Sequence, residues 1–174
     1  MNPRIGWLHN RYLEKKKENT LDMLIASYRD QDHDKLVEIW ERAVRATHTF
    51  LEEHHIQFYK KVVSDVLQQR QVEVWEALNA DDEPVGFIGL DDNFIEMLFI
   101  DVSQHGQGLG RLLINHTLNI KGSHLKVDVN EQNAGAARFY EKMGFVQIGR
   151  SELDGSGNPF PLLHLEIKAD QTAR

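Results

Sequence analysis

The stretch from Ile100 to Ile114, IDVSQHGQGLGRLLI, constrains this chain most. An apolar strand end runs into a turn with three glycines and out into an apolar-striped helix. Glycine lets the backbone approach a ligand closely. The first N–H groups of a helix lack partners inside it and carry the positive end of its dipole. Strand, glycine loop and helix start together make an anion cradle, suited to a nucleotide or a cofactor bearing a pyrophosphate. A dinucleotide fingerprint would need a glycine where Arg111 stands, and no Gly-Lys-Ser/Thr follows as a P-loop requires, so both common nucleotide readings fail.

The rest of the chain bounds the fold around this turn. Its 174 residues suffice for one domain with a hydrophobic core. The absence of cysteine rules out disulfides, thiolate metal sites and a cysteine nucleophile, and fits a cytoplasmic location. No apolar run approaches a membrane span and the first residues lack a signal peptide's apolar core, so a soluble protein that does not bind membranes is expected. A net charge of -7 argues against nucleic-acid binding and is compatible with a cationic partner. Lys15 to Lys17, the one basic run, reads as a solvated stretch.

Periodicity orders the elements. Residues 1 to 20 show little sustained pattern and are set apart as an amino-terminal extension, with the domain over 21–170. Met23 to Tyr28 reads as a strand. Asp32 or Asp34 would cap a helix striped by Leu36, Trp40, Ala43 and Val44, and Tyr59, Val62, Val63, Val66 and Leu67 mark the buried face of a second helix. Strands at 72–78 and 85–90 form a hairpin across a polar turn. The nearly continuous apolar run Phe94 to Ile100 suits a central strand covered on both faces. A helix over 108–120, a strand 124–129, a helix 134–143 and strands 145–150 and 162–167 complete the order. No internal repeat is seen.

Two motifs carry a resemblance. His105-Gly-Gln-Gly108-Leu-Gly110 resembles the acetyl-CoA loop of the GNAT superfamily of N-acetyltransferases, Arg/Gln-x-x-Gly-x-Gly/Ala, with His105 departing at its first position. Asn133 to Phe145 resembles the family's second element, Asn-x-x-Ala-x-x-Phe-Tyr-x-x-x-Gly-Phe. The resemblance implies an α/β (α+β) fold. Its mixed, mostly antiparallel sheet has about six to seven strands, helices on both faces and a splayed central strand pair. It also implies acetyl-CoA as cosubstrate and direct transfer to a primary amine on a small molecule or peptide, by a monomer or homodimer. Thr47 to Phe50 and Leu153 to Pro161 look like small bacterial acetyltransferases of unassigned acceptor. The rival reading is a non-catalytic acyl-CoA-binding regulatory module.

By this resemblance the cradle is the backbone of His105, Gly106, Gln107, Gly108, Leu109, Gly110 and Arg111. Phe99, Ile100 and Val102 offer backbone groups to the pantetheine arm, joined by Asn130 and Asn133. Asn133 also reads as a plain N-cap. Tyr140 is the candidate acid for the leaving thiolate, although its spacing with Ala136, Phe139 and Met143 equally describes a core face. The base is open between two acids. Glu96 is the one charge inside the apolar run, expected to be buried. Asp128 points away from the aliphatic face of its strand and has Lys126 as an ion-pair partner within reach. Trp40, His48, Phe50, Tyr59 and Phe160 are candidate walls of the acceptor pocket. Leu153 to Pro161 reads as an ordered turn. His54 and His55 are adjacent, point about a hundred degrees apart on a helix and make a poor metal pair, so no metal site is expected.

Overall fold

The computed structural model describes residues 23–168. The extension assigned to residues 1–20 lies outside them. Seven strands, β1 (Leu24–Ser27), β2 (Glu73–Leu78), β3 (Pro84–Asp91), β4 (Phe94–Ile100), β5 (His124–Asn130), β6 (Val146–Ser151) and β7 (Leu162–Lys168), form one sheet in the order β1-β2-β3-β4-β5-β7-β6. Four helices, α1 (His33–Thr47), α2 (Glu53–Gln68), α3 (Leu109–Lys121) and α4 (Ala134–Lys142), cover it. The element order is the one periodicity predicts, with boundaries shifted by a residue or two.

Local chemistry sets the turns. Asn79 Oδ1 accepts the N–H groups of Asp81 and Glu83, both at 3.0 Å, and closes the β2–β3 hairpin. Asp92 takes the left-handed conformation, φ 50°, in the β3–β4 turn. Asp32 stands at the N-cap of α1 but makes no capping bond, because its carboxylate is held by Arg29 Nε. The buried stripe of α2 is Ile56, Val63 and Leu67 with Tyr59 and Val66 half-buried. Val62, expected on that face, is 39% exposed, since it sits one position round from the line running through Ile56 and Val63.

Two cores lie on opposite sheet faces. One gathers Leu36, Ile39, Trp40, Leu67, Phe87 and Met97 under α1 and α2. The other gathers Ile88, Ile95, Leu113, Val127, Tyr140 and Leu165 under α3 and α4. Burial on both faces explains the unbroken apolar run of β3 and most of β4.

All neighbouring strands are antiparallel except β4 and β5. These pair in parallel over only two rungs, Phe94 with Lys126 and Ile95 with Val127. β5 and β7 run together over seven rungs. Beyond Ile95 the partners β4 and β5 separate, and the sheet opens into a V.

Candidate active site

The V begins at a bulge. Between β3 and β4 the register shifts, with Gly89 opposite Met97 and Leu90 opposite Ile95, so Glu96 is the extra residue. A bulge breaks the ladder and bends its strand. Glu96 is accordingly exposed, and its expected burial in the apolar run does not hold. Its carboxyl is still pushed above the usual range, by partial desolvation first and then by the charges of Asp91 and Asp128.

Past the bulge, Asp101 N–H donates to Val85 O at 2.8 Å. In an antiparallel pair, successive residues turn their N–H and C=O to opposite sides. Phe99 therefore directs its backbone at β3, and Leu98 and Ile100 face the open edge. This corrects the expectation for Phe99. Ile100 O meets His105 Nε2 at 3.0 Å, so the histidine at the departed motif position ties the glycine turn to the strand end. Val102 starts a short 3-10 turn and is 39% exposed.

The glycine turn is a cradle of amides. Gly106 and Gly108 have φ of 74° and 86°, which L side chains rarely adopt, and a Cβ on either would meet nothing within 4 Å. Gly108 is the N-cap of α3 without a side-chain cap, and no acid stands in the first turn. Among the described residues, the N–H groups of Gly106 through Arg111 have no acceptor. Six free donors at a helix start fit a pyrophosphate. Gly110 has another reason to be glycine: its Cβ would come within 3.0 Å of the Phe139 ring, so its smallness seats α4 against α3.

Asn133 caps α4, its Oδ1 accepting from Ala136 N–H at 3.1 Å, while Asn130 is half-buried at the end of β5. Tyr140 is 6% exposed, with its ring 5.1 Å from those of Phe139 and Phe145. Burial alone pushes its hydroxyl strongly upward, so it stays protonated.

On the opposite face, Asp128 Oδ1 meets His164 Nδ1 at 2.6 Å, and His164 rather than Lys126 is its partner. The two stand on one rung of β5 and β7, a proximity that needs the strand order and could not be read along the chain.

Around the α1–α2 connection, His48, Phe50 and Phe160 stack in series with centroids 5.5 and 5.6 Å apart, and His55 meets Phe160 at 5.0 Å. Desolvation brings the His48 imidazole down to about 4, so it is neutral. Tyr59 donates to Asp154 Oδ2 and accepts from Asn158 Nδ2 at 2.7 Å, clasping the β6–β7 turn to α2. Burial first and then Asp154 push its hydroxyl up to about 12. Within that turn Asp154 Oδ1 receives the N–H groups of Ser156 and Asn158, the order expected for Leu153 to Pro161. Trp40 does not join this wall. It is 4% exposed, packed edge-on to Phe99 in the core.

The His54 and His55 rings lie 3.8 Å apart, closer than their helical spacing suggests. His55 folds back in the first turn to accept the Glu52 N–H and so brings its ring over. Among the described residues no group of three or more His, Asp or Glu is placed to hold a metal, and no helix is long and apolar enough to cross a membrane.

Residues 29–161 match the family model described as the acetyltransferase (GNAT) domain. The chain belongs to the GNAT acetyltransferase family. This acetyltransferase is 44% identical over 137 residues to peptidyl-lysine N-acetyltransferase YjaB of Salmonella typhimurium, spanning 79% of this chain and 92% of that protein. The solution structure of apo YjaB from Escherichia coli superposes with a TM-score of 0.77 at 40% identity, over 83% of this chain and 97% of that one. A PaiA N-acetyltransferase from Thermoplasma acidophilum, solved with coenzyme A, shares the fold with a TM-score of 0.67 at 20% identity, over 84% of this chain and 98% of that one. As a family member the protein is an acyltransferase that moves an acetyl group from acetyl-CoA to an amine.

Proposed function

We propose that the acceptor is the side-chain amine of a peptidyl lysine, attacked directly by its nitrogen in a ternary complex. The observations that carry this reading are an aromatic pair beside the α1–α2 connection and two carboxylates near enough for one to feel the other's charge. Phe50 and Phe160 suit the aliphatic stem of a lysine, and Glu96 and Asp128 suit its cationic head. The name of the YjaB relative supports the same class.

In this reading the amides from Gly106 to Arg111 hold the pyrophosphate. The open-edge groups of Leu98 and Ile100 hold the pantetheine arm, and a main-chain N–H there stabilises the thioester oxygen as charge builds on it. Asn130 and Asn133 close the other bank. Tyr140 belongs to the α3/α4 face and Asp128 to the other, so a thioester in the V meets both. Tyr140 keeps its proton until the thiolate departs, gives it up, and is reprotonated with the proton that the attacking nitrogen sheds as the amide forms. Glu96, whose carboxylate has no partner among the described residues, draws in the ammonium.

An acceptor panel tests the assignment. With acetyl-CoA and equal concentrations of a lysine peptide blocked at its amino terminus, a peptide with only a free amino terminus, and a polyamine, mass spectrometry should find acetylation fastest on the blocked lysine peptide. Modification confined to the amino terminus or the polyamine would replace the proposed acceptor.

A further inference from the structure

One side chain joins the two halves of the proposed donor site. The open edge of β4 ends at Ile100, and the run of free amides begins at Gly106. Between them the chain makes the 3-10 turn Val102–Gln104 and reaches His105, whose Nε2 lies 3.0 Å from Ile100 O. A carbonyl oxygen only accepts. The ring therefore donates through Nε2–H, and Nδ1 is its bare nitrogen.

The two ends of this joint are anchored without His105. On the strand side Asp101, 5% exposed, accepts Ser103 N–H at 2.9 Å and the Ser103 hydroxyl at 2.6 Å, and its own N–H is held by Val85 O. Gly86 lies opposite Ile100 and seats it, since a Cβ there would come within 2.7 Å of Ile100 Cδ1. On the helix side Leu109 and Leu113 root α3 in the core. What lies between is held more weakly. Among the described residues, His105 N–H reaches Val102 O at 3.3 Å and Gln107 Nε2 reaches Ser103 O at 3.4 Å, so the His105 ring makes the shortest tie from the glycine turn back to the strand.

We propose that His105 is a positioning residue for the donor: its ring sets the span between the amide cradle and the open edge of β4, so that both ends of one acetyl-CoA molecule are engaged at once. This rests on the donor placement proposed above. A ligand with two anchoring groups binds more tightly than either group alone because its second contact is intramolecular, and the advantage shrinks when the span between the two sites is not fixed. The same span places the thioester beside the main-chain N–H that would stabilise its oxygen, so a wandering turn costs rate as well as affinity. The motif departure at this position fits the role. Arg, Gln and His all carry a side-chain N–H donor, so His105 changes the residue and keeps the donor.

The test compares wild type, His105→Ala and His105→Gln by calorimetric titration with two probes: acetyl-CoA, and adenosine 3′-phosphate 5′-diphosphate, which carries the pyrophosphate without the pantetheine arm. His105→Ala should raise the Kd for acetyl-CoA by roughly three- to tenfold, the scale of one hydrogen bond, and lower kcat, while the Kd for the nucleotide stays within about twofold. His105→Gln should recover acetyl-CoA binding through its own N–H. An equal loss for both probes, accompanied by a lower Tm, would make His105 a stabiliser of the turn only, and unchanged acetyl-CoA binding and kcat in His105→Ala would leave the ring no role. Nitrogen-detected NMR of the His105 ring gives a readout that needs no ligand: the wild type should show Nε2–H, and a ring protonated at Nδ1 alone would also overturn the inference. A wild type whose Gly106 to Arg111 amides do not shift with the nucleotide would sink the cradle itself, an outcome that no His105 variant is needed to recognise.

Discussion

On the function proposed above, the groups that meet the donor are backbone amides from one continuous stretch, Gly106 to Arg111, freed by two glycines with positive φ. On the same reading, those that meet the acceptor are side chains gathered from distant segments: Tyr59 reaches Asp154 and Asn158, 95 and 99 residues further along. The proposed donor cradle is thus local and fixed by chain geometry, while the proposed acceptor wall depends on tertiary contacts.

The largest test of the division is Gly108→Val. A β-branched side chain at φ 86° is strained and fills the open space before α3. Acetyl-CoA at a hundred times its Kd should stabilise the wild type by about 2.7 kcal/mol. The variant should lose most of that thermal shift, and a variant that folds and binds normally would remove the cradle. Next in size is Tyr140→Phe, which keeps the ring packing. Its kcat should fall by roughly ten- to a thousandfold with acetyl-CoA affinity held, within the range of general acid catalysis. Unchanged turnover would make Tyr140 a core aromatic only.

Tyr59→Phe probes the acceptor side. It breaks the clasp to Asp154 and Asn158, so stability should drop by about 1 kcal/mol and KM for the acceptor should rise severalfold, with the acetyl-CoA shift intact. A loss of acetyl-CoA binding would show that the two sides are not separable. The smallest effect concerns pH. His48 titrates near 4 when folded and near 6.5 as a free side chain, so the unfolded chain takes up a proton first. The stability it contributes is present above about 6.5 and is lost as pH falls toward 4. Tm should decline over that window, less so in His48→Phe, while acetyl-CoA binding, resting on amides that do not titrate, follows no such trend.

The same contrast explains what the amino-acid sequence discloses. The glycine turn and the helix order follow from periodicity and two motifs, because backbone conformation is written locally, while the V was implied by the family resemblance alone. Asn133 as a cap and the ordered turn from Leu153 to Pro161 were equally legible. Glu96 was misread as buried because a bulge, which no residue pattern announces, turns it outward. Phe99 was misassigned since the phase of hydrogen bonding along β4 is fixed by Val85 and Asp101. His164, the partner of Asp128, went unnoticed because it is an ordinary strand residue until β5 and β7 lie side by side.

The separation of the two sides is tested most directly by amide and aromatic NMR titrations of the same sample, first with coenzyme A and then with a lysine peptide blocked at its amino terminus. Coenzyme A should perturb Leu98, Ile100 and Gly106 to Arg111, and the peptide should then perturb Phe50, Tyr59, Asp154, Phe160 and His164 without moving the glycine turn. A peptide that shifts the Gly106 to Arg111 amides, or leaves Phe50 and Phe160 unmoved, would contradict the division on which this mechanism stands.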